Sequence, residues 1–195
     1  MKKRLSLALQ QDLKKNLLKV KSDSLIIGVN EGNALNPISS KIDQATNGVI
    51  KKLAKRKEFE GKVGQQAYVA APEGLSAERL YLIGFGKSKD LLSNEDIDKI
   101  LNSTISSLKS SKSNNASICF PSLKYSNKSQ NDSWLLQKMA TFFENRVYTY
   151  DAKLNKKNKS VNHLKKVNLF LMVMIIKFYL LQKNLTEIKL LRFQE

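Results

Sequence analysis

Short apolar, β-branched runs alternate along this chain with longer stretches whose apolar residues recur every three or four positions, which points to an α/β layered fold. The run SLIIGVNEG at 24–32 ends in polar and glycine residues and reads as a buried strand. After Asn36-Pro37, the positions Ile38, Ile42, Ala45, Val49, Ile50 and Leu53 make one apolar helix face, with lysines on the other. A glycine turn then leads to a strand at 67–71. ERLYLIGFG at 78–86 is nearly continuous in apolar character, which suits a strand covered on both faces. The stretch 93–112 opens as a helix should. Ser93 is placed as N-cap, and Glu95, Asp96 and Asp98 lie in the first turn, where the helix dipole favours negative charge. Ile97, Ile100, Leu101, Ile105 and Leu108 supply its buried stripe. A short strand at 116–121 closes at Pro121, and 132–151 is an amphipathic helix with Trp134, Leu135, Met139, Phe142, Phe143 and Val147 at helical spacing. A lysine- and asparagine-rich loop at 153–162 leads to a last strand within 163–171. The sheet is expected to be mixed or largely parallel.

A chain of 195 residues can bury the core of one ordinary domain and carry a tail. Its 34 basic residues outnumber 17 acidic ones, and a net charge of +17 attracts polyanions. Two basic clusters raise a nucleic-acid-binding module as an alternative function: Lys2, Lys3, Arg4, Lys14, Lys15, Lys19 and Lys21, then Lys153, Lys156, Lys157, Lys159, Lys165 and Lys166. Such binding would be sequence-tolerant and salt-sensitive. Against it, lysine far exceeds arginine, there is no aromatic-basic RNA-binding motif, and coding-sequence base bias also enriches lysine and asparagine. The single cysteine, Cys119, excludes an internal disulfide and suits a reducing cytoplasm. With His163 the only histidine, a Cys/His zinc site lacks its three or four ligands. Cys119 alternates with apolar neighbours and reads as a small buried residue, and His163 as a solvated one. The N-terminus begins like a secretory signal, but its apolar run stops at Leu9 without a cleavage site. LFLMVMII at 169–176 is interrupted by Lys177 and falls short of the ~20 apolar residues that span a bilayer, so a buried strand or a non-native tail is expected, and no membrane partner.

LYLIGFGKS at 80–88 invites comparison with phosphate-binding loops. A Walker-type loop needs a glycine five positions before its G-K-[ST], and Tyr81 stands there. Gly84 and Gly86 fit the dinucleotide fingerprint, but its third glycine falls at Lys89. KDLLSN also intervenes before the next helix, so a phosphate would lack a helix N-terminus. The two glycines read instead as a tight backbone turn where a strand leaves the sheet.

EFEGKVGQ at 58–65, followed by ERLYLIGFGK at 78–87, resembles the N-terminal domain of the cytosolic leucyl aminopeptidase family. Members typically carry an E/F-x-G-K-x-G-Q turn and then an E-R-x-x-L-x-G-x-G-K strand and loop. Residues 25–53 look like the family's first central strand and helix, residues 132–151 like its aromatic-led helix, and the ordered similarity spans about 5–171. The resemblance implies a macro-like layered α/β fold, a mixed sheet with helices on both faces, over residues 1–171. In family members this domain precedes a larger catalytic domain that releases N-terminal amino acids from peptides. That domain uses two divalent metals, usually zinc, manganese or magnesium, held by a lysine and several carboxylates around an N-T-D-A-E-G-R signature. Neither the signature nor the metal-binding lysine segment occurs here, so no catalytic, cofactor-binding or metal residue carries onto any position. Glu58 and Glu60 merely flank a turn.

The resemblance therefore leads us to expect a cytoplasmic, non-catalytic assembly or regulatory domain that is inactive alone and holds no cofactor. The implied partners are further copies, since the family is hexameric, or intact aminopeptidase subunits. Residues 172–195 depart from the family, crowded with Ile, Leu, Phe and Lys and free of Gly, Pro and Asp. They are expected to be a non-native tail left by a frameshift or similar disruption, forming a helix that packs opportunistically or promotes aggregation. A macro-like fold also raises ADP-ribose binding, but fold alone does not transfer function.

Overall fold

All six residues of one strand, Ser24–Val29, are buried, and the other described elements are layered around it. The computed structural model describes residues 6–8, 17–32, 35–111, 113–153 and 166–171. In chain order the elements are β1 (Ser6–Ala8), β2 (Ser24–Val29), α1 (Pro37–Ala45), α2 (Val49–Lys55), β3 (Gln66–Ala70), β4 (Arg79–Gly84), α3 (Asn94–Ser110), β5 (Asn115–Phe120), α4 (Asp132–Lys153) and β6 (Lys166–Leu171). The sheet order is β1-β6-β5-β2-β4-β3. Every neighbouring pair is parallel except β3 with β4, so the sheet is mixed, with β3 an antiparallel edge.

Alternation along the strands sends side chains to two separate cores. Ile26, Tyr81, Ile83, Ile118 and Phe120 face α3 and α4, meeting Ile97, Leu101, Leu135, Met139 and Phe143. Leu25, Ile27, Leu80, Leu82 and Cys119 face α1 and α2, meeting Ile38, Ile42 and Ile50. Register explains the partition, because Ile26 lies beside Tyr81 and Ile118 while Ile27 lies beside Leu82 and Cys119. Each fully buried Leu or Ile contributes roughly 1.5–3 kcal/mol by leaving water. This is the expected α/β fold with helices on both faces.

The single helix predicted across residues 38–53 is two helices. Asn47 and Gly48 both adopt positive φ, 54° and 77°, and turn the chain between α1 and α2. Asn-Gly tolerates that left-handed region where other pairs do not. The buried Asp43 on α1 stabilises the corner, its Oδ1 accepting hydrogen bonds from the backbone N–H of Ile50 (2.8 Å) and Lys51 (3.1 Å). The apolar spacing survives the break because both helices lie on the same side of the sheet.

Ser93 caps α3 as expected. Its Oγ accepts from Asp96 N at 3.2 Å, and Asp96 Oδ2 accepts from Ser93 N at 3.1 Å, a complete capping box. Asp98 has a different role, pairing at 2.8 Å with Lys138 on α4 and so tying the two helices of one layer together. β1 was not anticipated, since its three residues carry too little pattern to read. β6 begins at Lys166, and His163, the loop and the tail 172–195 lie outside the described residues. Among the described residues no helix is long and apolar enough to cross a membrane.

Candidate functional site

In open α/β sheets ligands bind outside the carboxyl ends of the strands, where the strand order reverses. Here the reversal falls at β2, which has β4 on one side and β5 on the other. The chain fills that place with its own atoms. A Cβ on Gly28, near the end of β2, would strike the Phe85 ring and lie 2.6 Å from Pro121 Cδ. Phe85 and Phe120 are buried and meet edge to face, with centroids 4.8 Å apart. An aromatic plug thus stands where a ligand would enter.

Beside the plug, the two glycine motifs interlock. Gly61 has φ 82°, and a Cβ there would lie 2.6 Å from Asn30 O. A Cβ on Gly84 would collide with the Lys62 carbonyl, so the 61–64 turn crosses directly over the end of β4. Gly84 N donates to Gln65 O (2.8 Å), Phe85 N to Val29 O (2.9 Å) and Gly86 N to Gly61 O (2.9 Å). Glu31 N in turn donates to Gly86 O at 2.8 Å. Backbone donors that a phosphate loop would turn toward its ligand are committed here to protein carbonyls. Lys87 and Ser88 are exposed beyond the turn.

Three successive N–H groups, those of Glu60, Gly61 and Lys62, converge as in an anion-binding nest. Their acceptor is internal: Gln65 Oε1 takes all three, at 2.9, 3.0 and 3.2 Å. That accounts for the glutamine closing the EFEGKVGQ motif. Asn36 performs a similar task at β2. Its Oδ1 caps α1 through Ile38 N (3.1 Å) and Ser39 N (3.0 Å), while its Nδ2 donates to Gly28 O at 2.9 Å.

The titratable groups follow their surroundings. The Lys62 ammonium, hydrogen-bonded to Glu60, holds that carboxyl below its usual range. Hydrogen bonds from the Ser93 hydroxyl and backbone do the same for Asp96. Burial pushes the Cys119 thiol up to about 12, as befits a core residue. Burial also raises Asp132, against the opposing effect of the Tyr125 hydroxyl, which donates to Asp132 Oδ1 at 3.1 Å.

Among the described residues no three His, Cys, Asp or Glu side chains gather as metal ligands would. Glu95, Asp96 and Asp98 divide between solvent, capping box and ion pair. Of the basic clusters, only Lys19 and Lys21 have described side chains. Sequence reading missed the Phe85–Phe120–Pro121 plug, although Gly28 inside an apolar strand was a readable sign of close approach.

A sequence profile described as the cytosol aminopeptidase family, N-terminal domain, matches residues 26–157, more than half of the chain. The chain belongs to the cytosol aminopeptidase family. The match is to that family's N-terminal domain, and it contains both interlocked glycine motifs. Among solved structures, a mutant tomato leucine aminopeptidase superposes with a TM-score of 0.63 at 17% identity, over 86% of this chain and 32% of that one. The macrodomain of Mycobacterium tuberculosis DarG gives 0.55 at 16% identity, covering 79% of this chain and 92% of that one. The macrodomain of Thermus aquaticus DarG gives 0.53 at 12%, covering 86% and 97%. The present chain therefore spans about a third of the tomato enzyme (32%) and nearly all of either macrodomain. At these identities the likeness establishes the macro-like fold.

Proposed function

We propose that this chain acts as the non-catalytic N-terminal module of a leucyl-aminopeptidase-type protein, in assembly or regulation, and that it hydrolyses no peptide by itself. One observation carries the proposal: on the α3–α4 side, the carboxyl end of the sheet, where this class of fold takes a ligand, is occupied by Phe85, Pro121 and the 61–64 turn. A surface committed to internal hydrogen bonds positions a domain rather than a substrate. The family match to an N-terminal domain supports the same role. On this reading manganese or zinc belongs to a catalytic domain and not to this one, the protein works in the cytoplasm, and its partners are aminopeptidase subunits or further copies of itself.

The test is direct. The purified chain, incubated with leucyl p-nitroanilide and manganese, is expected to release no nitroaniline above a metal-only blank. Turnover that co-purifies with the chain and disappears on chelation would overturn the proposal.

A further inference from the structure

A concavity opens at the end of β2, on the α1–α2 side of the sheet and apart from the aromatic plug. Its volume is about 240 Å³, and Val29, Leu35, Ile50 and Phe59 form its apolar part, with Lys51 and Lys55 also lining it. Val29, Ile50 and Phe59 are otherwise buried in the second core, so the cleft reaches down to core side chains. Drug-sized ligands occupy roughly 300–1,000 Å³. This cleft is smaller, and suits one inserted side chain better than a nucleotide or cofactor.

Its rim is mainly basic on the α2 side; Glu60, the acidic residue in the lining, is paired with Lys62. Lys51, Lys52, Lys55, Arg56 and Lys57 are all exposed, along α2 and the turn after it. Lys51 reaches Asp43 only at 3.8 Å and Arg56 reaches Glu58 only at 3.9 Å. Lys52 and Lys55 have no ion-pair partner among the described residues. The helix dipole explains why cations are tolerated in the last turn of α2. It does not explain an apolar hole beside them. Nucleic acid is a poor match, because single strands are held by exposed aromatic platforms and Phe59, the aromatic residue here, is 1% exposed.

We propose that this cleft and its ridge dock an acidic peptide segment bearing one apolar anchor. The anchor, of leucine or phenylalanine size, seats against Ile50 and Phe59, and flanking carboxylates meet Lys51, Lys52 and Lys55. The charges speed and orient the encounter, and the anchor supplies the discrimination.

Fluorescence anisotropy of the full chain tests this with a labelled peptide of about a dozen Glu, Asp and Ser residues around one central leucine. Binding should weaken roughly tenfold when that leucine becomes serine, the loss expected for one buried aliphatic side chain. Ala54→Trp, which fills the cleft, should cause a similar loss, and Lys51→Glu with Lys55→Glu a larger one that shrinks as salt is added. Melting curves establish that each variant is folded, and the serine peptide tests the cleft without altering the protein. Equal binding of leucine and serine peptides would overturn the proposal, as would an oligothymidylate of equal charge competing through the same lysines. The aromatic plug and this cleft are tested on different residues, so either can fail alone.

Discussion

Gln65 is the residue on which the interlock turns. Its amide oxygen accepts three backbone N–H groups that would otherwise have no protein partner. Gln65→Ala should therefore cost about 2 kcal/mol, the order expected when part-buried donors lose their acceptor. Gln65→Glu should be tolerated, because a carboxylate oxygen placed among converging N–H groups is favoured in its charged form. Urea titration of the three proteins checks the ranking. If alanine and glutamine variants unfold at the same urea concentration, the side chain does not hold the turn. Glycines serve the same contact from the opposite strand, since Gly84 has no room for a Cβ beneath the Lys62 carbonyl.

The corner between α1 and α2 is decided at the level of elements. The buried Asp43 reaches across the break to cap α2, a helix whose own N-cap, Gly48, offers no side chain. Asp43→Ala should cost about 2 kcal/mol, the upper end for losing a cap. Calorimetry would show a lowered Tm, and an unchanged one would mean that α2 is held by its apolar face alone.

Most of this level was legible in sequence. Ser24–Val29 and Arg79–Gly84 announced themselves by continuous apolar character, and Ser93 by the acidic turn that follows it. The break at Asn47-Gly48 was written there too, as a turn-forming pair, but the apolar spacing on both sides concealed it. What could not be read was distance. Nothing local in EFEGKVGQ says that its turn crosses the end of β4, or that Phe85 will lie over Gly28, because those contacts join segments tens of residues apart. Loop spacing argues against a phosphate loop at Gly84 and Gly86 but does not say where their N–H groups go, which is to the carbonyls of Gln65 and Gly61.

Across the described residues, two cores flank one sheet, and on the α3–α4 side the carboxyl ends of β2 and β4 are covered by Phe85, Pro121 and the 61–64 turn. Closure is a statement about stability as well as shape, since the bonds that seal this end run between the strands that hold the cores. Native-state hydrogen exchange by NMR tests the closure most directly. The amides of Gly84, Phe85, Gly86 and Glu31 donate at 2.8–2.9 Å to Gln65, Val29, Gly61 and Gly86 carbonyls, and should exchange nearly as slowly as those in the centre of β2. Exchange of these four amides as fast as the exposed residues 87–90 would mean that the end of the sheet opens freely, and would contradict the account.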